Sequence, residues 1–130
     1  MSINSFSCGT RLQNCEALKV LMSLNQKVRL ILKQIKTNIE TQVFIDSVVC
    51  FITARNYKDF PEVVALVEDA TEQLGFAEDA KKKAADFAAK GDWNKAMGWA
   101  NQWWQYQVKT ADVGLRAKTY LEEHDAKLVK

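Results

Sequence analysis

The sequence predicts an all-α protein of about five helices, packed as a bundle with mostly antiparallel neighbours. Helix breakers are scarce, because the 130 residues include one proline and five glycines. Alanine, leucine, lysine, glutamine and glutamate, which favour helices, are frequent. Apolar side chains recur every three or four residues, as on the buried face of a helix. With 48% hydrophobic and 26% charged residues, the composition is that of a globular domain with a hydrophobic core.

The chain divides into a short tail and one domain. We predict an N-terminal tail over residues 1–10, which are mostly polar, and a single helical domain over residues 11–130. The tail has no hydrophobic run behind a basic start, so no signal peptide is expected. The most apolar stretch, residues 43–52, is far shorter than the ~20 residues that span a membrane. Three cysteines without a CxxC motif favour reduced thiols, so we expect a cytoplasmic protein with no membrane segment.

The first helix is predicted from a long amphipathic run with a period near 3.5 residues. Its apolar stripe consists of Leu18, Leu21, Val28, Leu32, Ile35 and Ile39. Asn25 occupies a gap in this stripe. A polar residue at such a heptad position fixes register or oligomer state, so Asn25 is a candidate interface residue. Alternatively, Asn25 lies at the edge of the stripe and contacts water.

A break in this run is predicted at Thr37. Thr37 and Glu40 match a capping box, in which the threonine caps a helix and the glutamate reaches back to it. The first helix would then end near Lys36, and a second helix would span residues 38–56. The alternative is one helix over residues 11–55, which would be about 68 Å long at ~1.5 Å per residue. That length exceeds what a compact domain accommodates, so we favour the break.

Three further helices are predicted in the second half of the chain. Pro61 suits the first turn of a third helix, which either Asp59 or Phe60 caps. Gly75 suits the C-terminal stop of that helix. A fourth helix is predicted over residues 77–90.

The last predicted boundary is a turn at Gly91 and Asp92. Gly91 ends the fourth helix, and Asp92 is a good N-cap for a long fifth helix. Gly98 and Gly114 lie inside the fifth helix, where each costs about 1 kcal/mol relative to alanine. The helix is therefore expected to bend at these glycines or to let another backbone approach closely.

The fifth helix is unusually aromatic, since all four tryptophans lie within residues 93–104. On a helical wheel its apolar residues form two stripes, which together cover more of the circumference than a helix packed on one side needs. The first stripe contains Trp93, Ala96, Met97, Ala100, Trp104, Val108, Ala111 and Leu115. The second contains Trp99, Trp103, Tyr106, Val113, Ala117 and Leu121.

Three interpretations of the aromatic helix stay open. Neighbouring helices cover both stripes, or one stripe is core and the other is a protein interface, as in a homodimer. In the third, the aromatics line a pocket for a ligand or for stacked nucleobases, a reading weakened by the lack of basic residues other than Lys95 among them. We take Trp99, Trp103 and Tyr106 as candidate interface residues. Alanine at Trp99 or Trp103 is then expected to break a complex without unfolding the domain.

Charge is unevenly distributed along the chain. A basic flank on the first helix consists of Lys19, Arg29, Lys33 and Lys36. An acidic run without an intervening base extends over residues 62–79. Contact between the basic flank and phosphates makes nucleic-acid binding the alternative function. Pairing of the basic flank with the acidic run, inside the protein or across a dimer, explains the same pattern.

A small set of residues around the predicted turn follows a known repeat pattern. The set consists of Ala84, Phe87, Gly91, Asp92, Trp93 and Ala96. On these positions, residues 84–103 resemble one helical hairpin of the tetratricopeptide family. The resemblance implies two antiparallel helices joined at Gly91 and Asp92, and in that family stacked hairpins form a groove that binds peptides of other proteins. It covers one hairpin, since no second copy occurs at the period of about 34 residues.

Signatures of catalysis are missing from the sequence. The chain has one histidine, His124, and no GxxxxGK[ST], GxGxxG, GxSxG or HExxH motif. We therefore expect no catalytic residue, no metal site and no cofactor. The predicted function is a non-enzymatic protein–protein interaction module, such as an adaptor, small chaperone, assembly subunit or inhibitor. Its partner would be another protein or a second copy of the chain.

Overall fold

The computed structural model describes the backbone of residues 11–129 and the side chains of residue 19 and residues 23–125. Within these residues the protein is helical, which confirms the predicted class. The helices are α1 (Arg11–Thr53), α2 (Pro61–Ala89) and α3 (Trp93–Val129), with a 3₁₀ turn, Tyr57–Asp59, between α1 and α2. The predicted count of five is wrong, because two predicted boundaries lie inside continuous helices. The predicted tail, residues 1–10, lies outside the described residues.

The break predicted at Thr37 is wrong. The Thr37 hydroxyl donates a hydrogen bond of 3.1 Å to the carbonyl oxygen of Lys33, and the Thr41 hydroxyl donates one of 2.8 Å to the carbonyl oxygen of Thr37. Each threonine therefore bonds to the preceding turn of its own helix, which is compatible with an uninterrupted backbone. α1 accordingly continues over 43 residues.

The stop predicted at Gly75 is also wrong, although Pro61 begins α2 as predicted. Among the residues with a described backbone, only Gly91 has a left-handed φ, at +76°, so Gly75 keeps helical geometry. A glycine inside a helix costs about 1 kcal/mol relative to alanine. Ala77 and Ala80 lie just beyond Gly75 and are at most 2% exposed. Their burial against α3 holds this part of α2 in the helical conformation.

The turn between α2 and α3 forms as predicted. The N–H of Gly91 donates to the carbonyl oxygen of Ala88, and the N–H of Asp92 donates to that of Phe87, a pattern that ends many helices. Gly91 adopts its positive φ without strain because it lacks a Cβ. The Asp92 carboxylate accepts a hydrogen bond of 3.2 Å from the N–H of Lys95 and so caps α3.

α3 is the central helix and packs against both of the others. α2 runs antiparallel to α3, as the short turn between them requires. α1 runs parallel to α3, because residue numbers rise together along the contact: Asn38 bonds to Ala100, and Arg55 pairs with Asp125. The order is therefore up–down–up. The prediction of mostly antiparallel neighbours holds for α2 and is wrong for the α1–α3 pair.

Buried residues recur at intervals of seven positions in all three helices, with one position of α2 only half-buried, and this spacing winds helices into a left-handed supercoil. The series are Ile31, Asn38, Ile45 and Ile52 in α1, and Val63, Ala77 and Ala84 in α2. α3 has two series, which are Ala96, Trp103, Thr110 and Ala117, and Ala100, Gln107, Gly114 and Leu121. Two adjacent series give α3 a contact face for each neighbour, which explains its central place.

The two glycines inside α3 have different surroundings. A Cβ at Gly114 would lie 3.2 Å from Cγ1 of Val48, so α1 and α3 approach closely there. The close approach predicted at these glycines is thus found at Gly114, where the neighbour is a side chain rather than a backbone. Gly98 is exposed, and a Cβ there would meet no atom within 4 Å.

α1 is longer than the packed part of the bundle. Ile31 is the first buried residue among its described side chains, and it lines the same cavity as Ala96 in the first turn of α3. Residues 11–30 therefore precede the buried part of α1 over about 30 Å, and most of that length projects beyond the α2–α3 turn. This projection is why the length argument against a continuous helix fails. No helix within residues 11–129 has a stretch long and apolar enough to cross a membrane.

Candidate protein interface

The aromatic stripe that the sequence suggested as an interface faces α2. Trp103 is 6% exposed and packs against Ala77 and Ala80. Trp99 and Tyr106 lie half-buried beside it. Trp103 therefore belongs to the core of this chain, because α2 presents small side chains where the indole ring needs room.

Side chains of α2 also cover the outer edge of this stripe. The Lys83 ammonium lies 4.3 Å from the ring centroid of Trp99. The ring centroid of Phe76 lies 5.4 Å from that of Tyr106. In contrast, Trp104 on the other stripe of α3 is exposed. The aromatic residues thus serve mainly the α2–α3 contact, and a partner surface has to be sought elsewhere.

Asn25 and the basic flank lie on the outer surface of α1. Asn25 is exposed on the projecting part, where it shares a shallow depression with Lys19 and Arg29. Lys33 and Lys36 follow along the packed part and are exposed as well. The structure thus brings the predicted basic flank together, on a different helix from the aromatic stripe.

An apolar groove runs between α1 and α2, which both pack on α3 but hardly touch each other. We call it the α1–α2 groove. It contains two cavities of about 270 and 250 Å³ that follow one another along the bundle. Its walls are mostly aliphatic and include Ile35, Ile39, Ile45, Val49 and Ile52 of α1 and Val67, Leu74, Ala84, Ala85 and Ala88 of α2. Its floor consists mainly of small residues of α3, including Ala96, Ala100, Ala111, Gly114 and Ala117.

Side-chain size explains why the groove exists. The buried small residues Ala100, Gly114 and Ala117 let both neighbours lie close to α3. On the α2 wall, Ala84, Ala85 and Ala88 have short side chains that leave space between α2 and α1. Each outer helix therefore meets α3 without filling the space between itself and the other.

Beside the groove, α1 carries an exposed apolar row, which we call the α1 ridge and of which Ile39 also lines the groove. It consists of Leu32, Ile39 and Val43, which are 60%, 55% and 65% exposed. Leu32 and Ile39 belong to the stripe that the sequence predicted for the first helix. Leu32 and Ile39 face outward because the core uses the series that begins at Ile31, whereas Ile35 of the same stripe is half-buried against α2 and α3. An exposed aliphatic row of this kind is typical of an interaction surface.

One basic residue lines the groove near the α2–α3 turn. Ile35 of α1 and Lys81 of α2 line the same cavity, so they lie at the same level of the bundle. Lys81 is exposed. Lys33 and Lys36 of the basic flank are near this level along α1, but they do not line the cavity.

The other half of the groove is lined by uncharged residues. Ile45 of α1 and Leu74 of α2 line the same cavity and set the level. Asp46, Glu68 and Glu72 are exposed near this level, but they do not line the cavity.

Ion pairs between described residues leave these charges unpaired. The pairs are Arg55–Asp125, Asp92–Lys95, Asp112–Arg116 and Lys118–Glu122. They include no member of the basic flank and no carboxylate of the acidic run. The exposed charges of the basic flank and of the acidic run therefore remain accessible to a partner.

The ionisable residues near the far end of the bundle take part in packing. A hydrogen bond to the Glu62 carboxylate raises the pKa of the Tyr120 hydroxyl, and burial and the charge of Glu62 act in the same direction. The His124 ring packs edge-on against Phe60, with 4.4 Å between centroids. Among the described residues, no group of three or more His, Cys, Asp or Glu side chains is placed to hold a metal ion.

Two apolar residues at or beside the groove lie next to wrongly predicted helix boundaries. Val43 follows Ile39 by four residues and continues the apolar stripe, but the predicted break at Thr37 separated it from that stripe. Leu74 was taken as the end of a helix, because Gly75 was expected to stop it. The signal was present in both cases, since an unbroken apolar period across each boundary favours a continuous helix.

Residues 84–103 form an antiparallel hairpin, the geometry that their resemblance to a tetratricopeptide unit implies. Membership of that family stays a prediction, since two antiparallel helices joined by a short turn are common in helical proteins. The α1–α2 groove also lies outside this hairpin. No protein-family profile, curated protein or solved structure matches the chain.

Proposed function

We propose that this chain is a non-enzymatic protein-interaction module that binds an amphipathic helix in the α1–α2 groove. The observation that carries the proposal is an apolar groove which follows most of the packed bundle and which no described part of the chain covers. Adaptors, small chaperones, assembly subunits and inhibitors all need such a surface. A cytoplasmic location is part of the proposal and is supported by the cysteine content.

The dimensions of the groove suit a helix. The groove extends from the level of Ile31 to that of Ile52 on α1, which corresponds to roughly 30 Å or about 20 residues of helix. Two helices on a third leave the position at which a fourth would complete a four-helix bundle. A helix that carries apolar residues three and four positions apart would bury them between Val49 and Leu74.

Site-specific photo-crosslinking tests this function. A photoreactive residue replaces Thr71, which is exposed and lines the groove. The matched control carries it at Gln105, on the polar arc of α3. In the native cell, protein adducts are expected from the Thr71 position and not from the Gln105 position. Absence of any protein adduct at Thr71, or equal yields at both positions, would contradict the proposal.

Nucleic-acid binding is the second candidate function, and one observation favours it. Lys19, Arg29, Lys33 and Lys36 are exposed, and no ion pair between described residues uses them. Positive side chains on one flank bind phosphates with an affinity that falls as salt rises. Titration with duplex DNA and with RNA at low salt tests this candidate, with glutamine at the four positions as the control. Absence of binding at low salt removes it.

A further inference from the structure

The outer side of α1 carries the α1 ridge and part of the basic flank in one line. Five exposed residues follow one another there at spacings of three and four positions, and they are Arg29, Leu32, Lys36, Ile39 and Val43. Residues at these spacings are neighbours on one side of a helix. Basic and apolar side chains therefore alternate along this line up to Ile39, and Val43 extends it. We call these five residues the outer line of α1.

The surroundings of the outer line are positively charged over most of its length. Lys33 is exposed on the same side of the helix. Between Glu16 and Glu40 the sequence has five basic residues and no acidic one. Acidic residues flank only the C-terminal end of the line, where Glu40 lies to one side and Asp46 comes three positions after the last member. The outer line is therefore a basic and apolar surface that ends at Asp46.

The outer line protrudes from the bundle. Leu32 and Ile39 each follow a residue of the buried series, Ile31 and Asn38, by one position. The line consequently lies about 100° round the helix from the side that α1 buries. A partner helix is held in a groove, whereas a protruding amphipathic line suits a surface that deforms around it, such as the interface of a lipid bilayer.

Three kinds of partner use these features to different extents. A nucleic acid pairs with the basic side chains but leaves the three aliphatic side chains of the α1 ridge in water. A second α1 laid on the same line covers the ridge, but it brings two positively charged segments together. A bilayer with anionic headgroups does both, because aliphatic side chains enter the interface while lysine and arginine reach the headgroups. Charge complementarity and the exposed ridge therefore favour the same partner.

We propose that the outer line of α1 binds the surface of a bilayer that contains anionic lipids. Leu32, Ile39 and Val43 enter the interface, and Arg29 and Lys36 lie among the lipid headgroups. A helix bound in this way lies on the membrane, so it needs no apolar stretch of spanning length. The cytoplasmic leaflet carries the negative surface potential in cells, in agreement with the proposed location. The inference goes beyond the proposed function, because the groove binds a protein helix on the neighbouring side of α1.

Sedimentation of the full chain with vesicles measures this binding directly. Vesicles of equal parts phosphatidylcholine and phosphatidylserine are expected to carry the protein into the pellet, while vesicles of phosphatidylcholine alone leave it in solution. Binding should weaken as salt rises, because salt screens the attraction between basic side chains and headgroups. Absence of binding to the anionic vesicles at low salt, or equal binding to both kinds of vesicle, would overturn the inference.

A substitution on the ridge assigns the apolar part of the contact. Val43→Glu puts a charge where an aliphatic side chain enters the interface, so vesicle binding is expected to weaken roughly tenfold or more. Val108→Glu is the matched control, since this valine is exposed on α3. Circular dichroism checks that both variants are folded. Equal weakening by the two changes would contradict the proposed contact.

A pair of neutralising changes assigns the basic part. Arg29→Gln with Lys36→Gln is expected to weaken binding to the anionic vesicles about fivefold for each lost charge. Lys58→Gln with Lys109→Gln is the control, because it removes the same net charge from exposed residues outside α1. If the control weakens binding as much as the first pair, net charge and not the outer line governs binding, and the inference is wrong.

Other partners give different results. A protein that ignores the vesicles but forms a dimer in light scattering, which Val43→Glu dissociates, places a second copy on the outer line and overturns the inference. Binding to duplex DNA or RNA without binding to anionic vesicles overturns it in favour of the second candidate function. Crosslinking from Thr71 depends on neither result, so the groove and the outer line are tested separately.

Discussion

α3 makes two contacts of different kinds, one with α1 and one with α2. Towards α2 it presents Trp103, whose ring lies on Ala77 and Ala80. Towards α1 it presents small or polar residues, including Ala100 and Gly114. The α2 contact is stabilised by burial of a large ring, while the α1 contact depends on close approach and on hydrogen bonds. The same heptad spacing on α3 therefore supports two kinds of helix packing, one against α2 and one against α1.

Hydrogen bonds fix the register of α1 on α3. The side-chain amide of Asn38 donates a bond of 3.0 Å to the carbonyl oxygen of Ala100. The Gln107 amide donates one of 2.9 Å to the backbone carbonyl oxygen of Asn38 and one of 3.2 Å to Oε1 of Gln42. A slip of α1 would break these buried bonds. The register of α2 on α3 does not require such hydrogen bonds, because the short turn at Gly91 connects the two helices directly.

The largest effect is expected where the ring of Trp103 is removed from the α2 contact. Trp103→Ala leaves a cavity against two alanines that cannot fill it, so we expect the free energy of unfolding to fall by ~3–5 kcal/mol. Denaturant unfolding followed by circular dichroism measures the change. Trp104→Ala is the control, because that ring is already exposed, and its effect should be much smaller. A folded Trp103→Ala variant of unchanged stability would return this residue to the interface candidates.

The hydrogen bonds of the α1 contact are the next to test. Asn38→Ala removes the buried bond to Ala100, so we expect the free energy of unfolding to fall by about 2 kcal/mol. Gln34→Ala is the control on the same helix, because it removes only the part-buried bond of 3.0 Å between Gln34 and Asn38. The Asn38 effect should be clearly larger, as measured by urea titration. Equal effects would mean that packing, and not the polar bonds, holds α1 in register.

Close approach is tested by a matched pair of glycines. Gly98→Ala adds a methyl group in open space, so the better helix propensity of alanine should stabilise the fold by up to about 1 kcal/mol. Gly114→Ala brings the same group to 3.2 Å from Val48. The crowding should cancel the gain and destabilise the fold by about 1 kcal/mol. Thermal unfolding of both variants gives the comparison. If both changes stabilise the fold, α1 can shift at Val48 without a measurable loss of stability.

Local features of this fold could be predicted from the sequence because a few adjacent residues determine them. Gly91 and Asp92 specify a helix end and a helix start, and both predictions are confirmed. Thr37 and Gly75 were misread because the same residues are compatible with a continuous helix. Which conformation forms there depends on packing against α3, and a local pattern holds no information about that packing.

The α1–α2 groove could not be predicted for a related reason. The helical wheel identified two apolar stripes on the aromatic helix but could not decide which neighbour covers Trp103. The apolar period likewise identified the stripe that contains Leu32 and Ile39, but it could not show what covers that stripe. The charge segregation was visible as a basic flank and an acidic run.

The smallest effect is expected at the far ends of the two contacts, where ionisable groups meet. The α1 contact ends in the half-exposed pair of Arg55 and Asp125, at 2.8 Å. The α2 contact ends at Tyr120, whose hydroxyl has a pKa above the usual 10.0 because of its hydrogen bond to Glu62. In the unfolded chain Tyr120 loses its proton near its usual pKa, while the folded chain retains it. Stability should therefore decline as pH rises from about 10 towards the folded pKa.

Glu62→Gln isolates this contribution. The change removes the negative charge beside Tyr120 and lowers its pKa towards the usual value, so stability should decline less at alkaline pH. Unfolding midpoints from about pH 9 to about pH 11 measure the difference, with Tyr120→Phe as the control that lacks the titrating group. The lysines are common to all three proteins, so their titration cancels in the comparison. If the unfolding midpoints of the unchanged protein and of Glu62→Gln change with pH in the same way, the hydrogen bond between Glu62 and Tyr120 contributes nothing specific to folding.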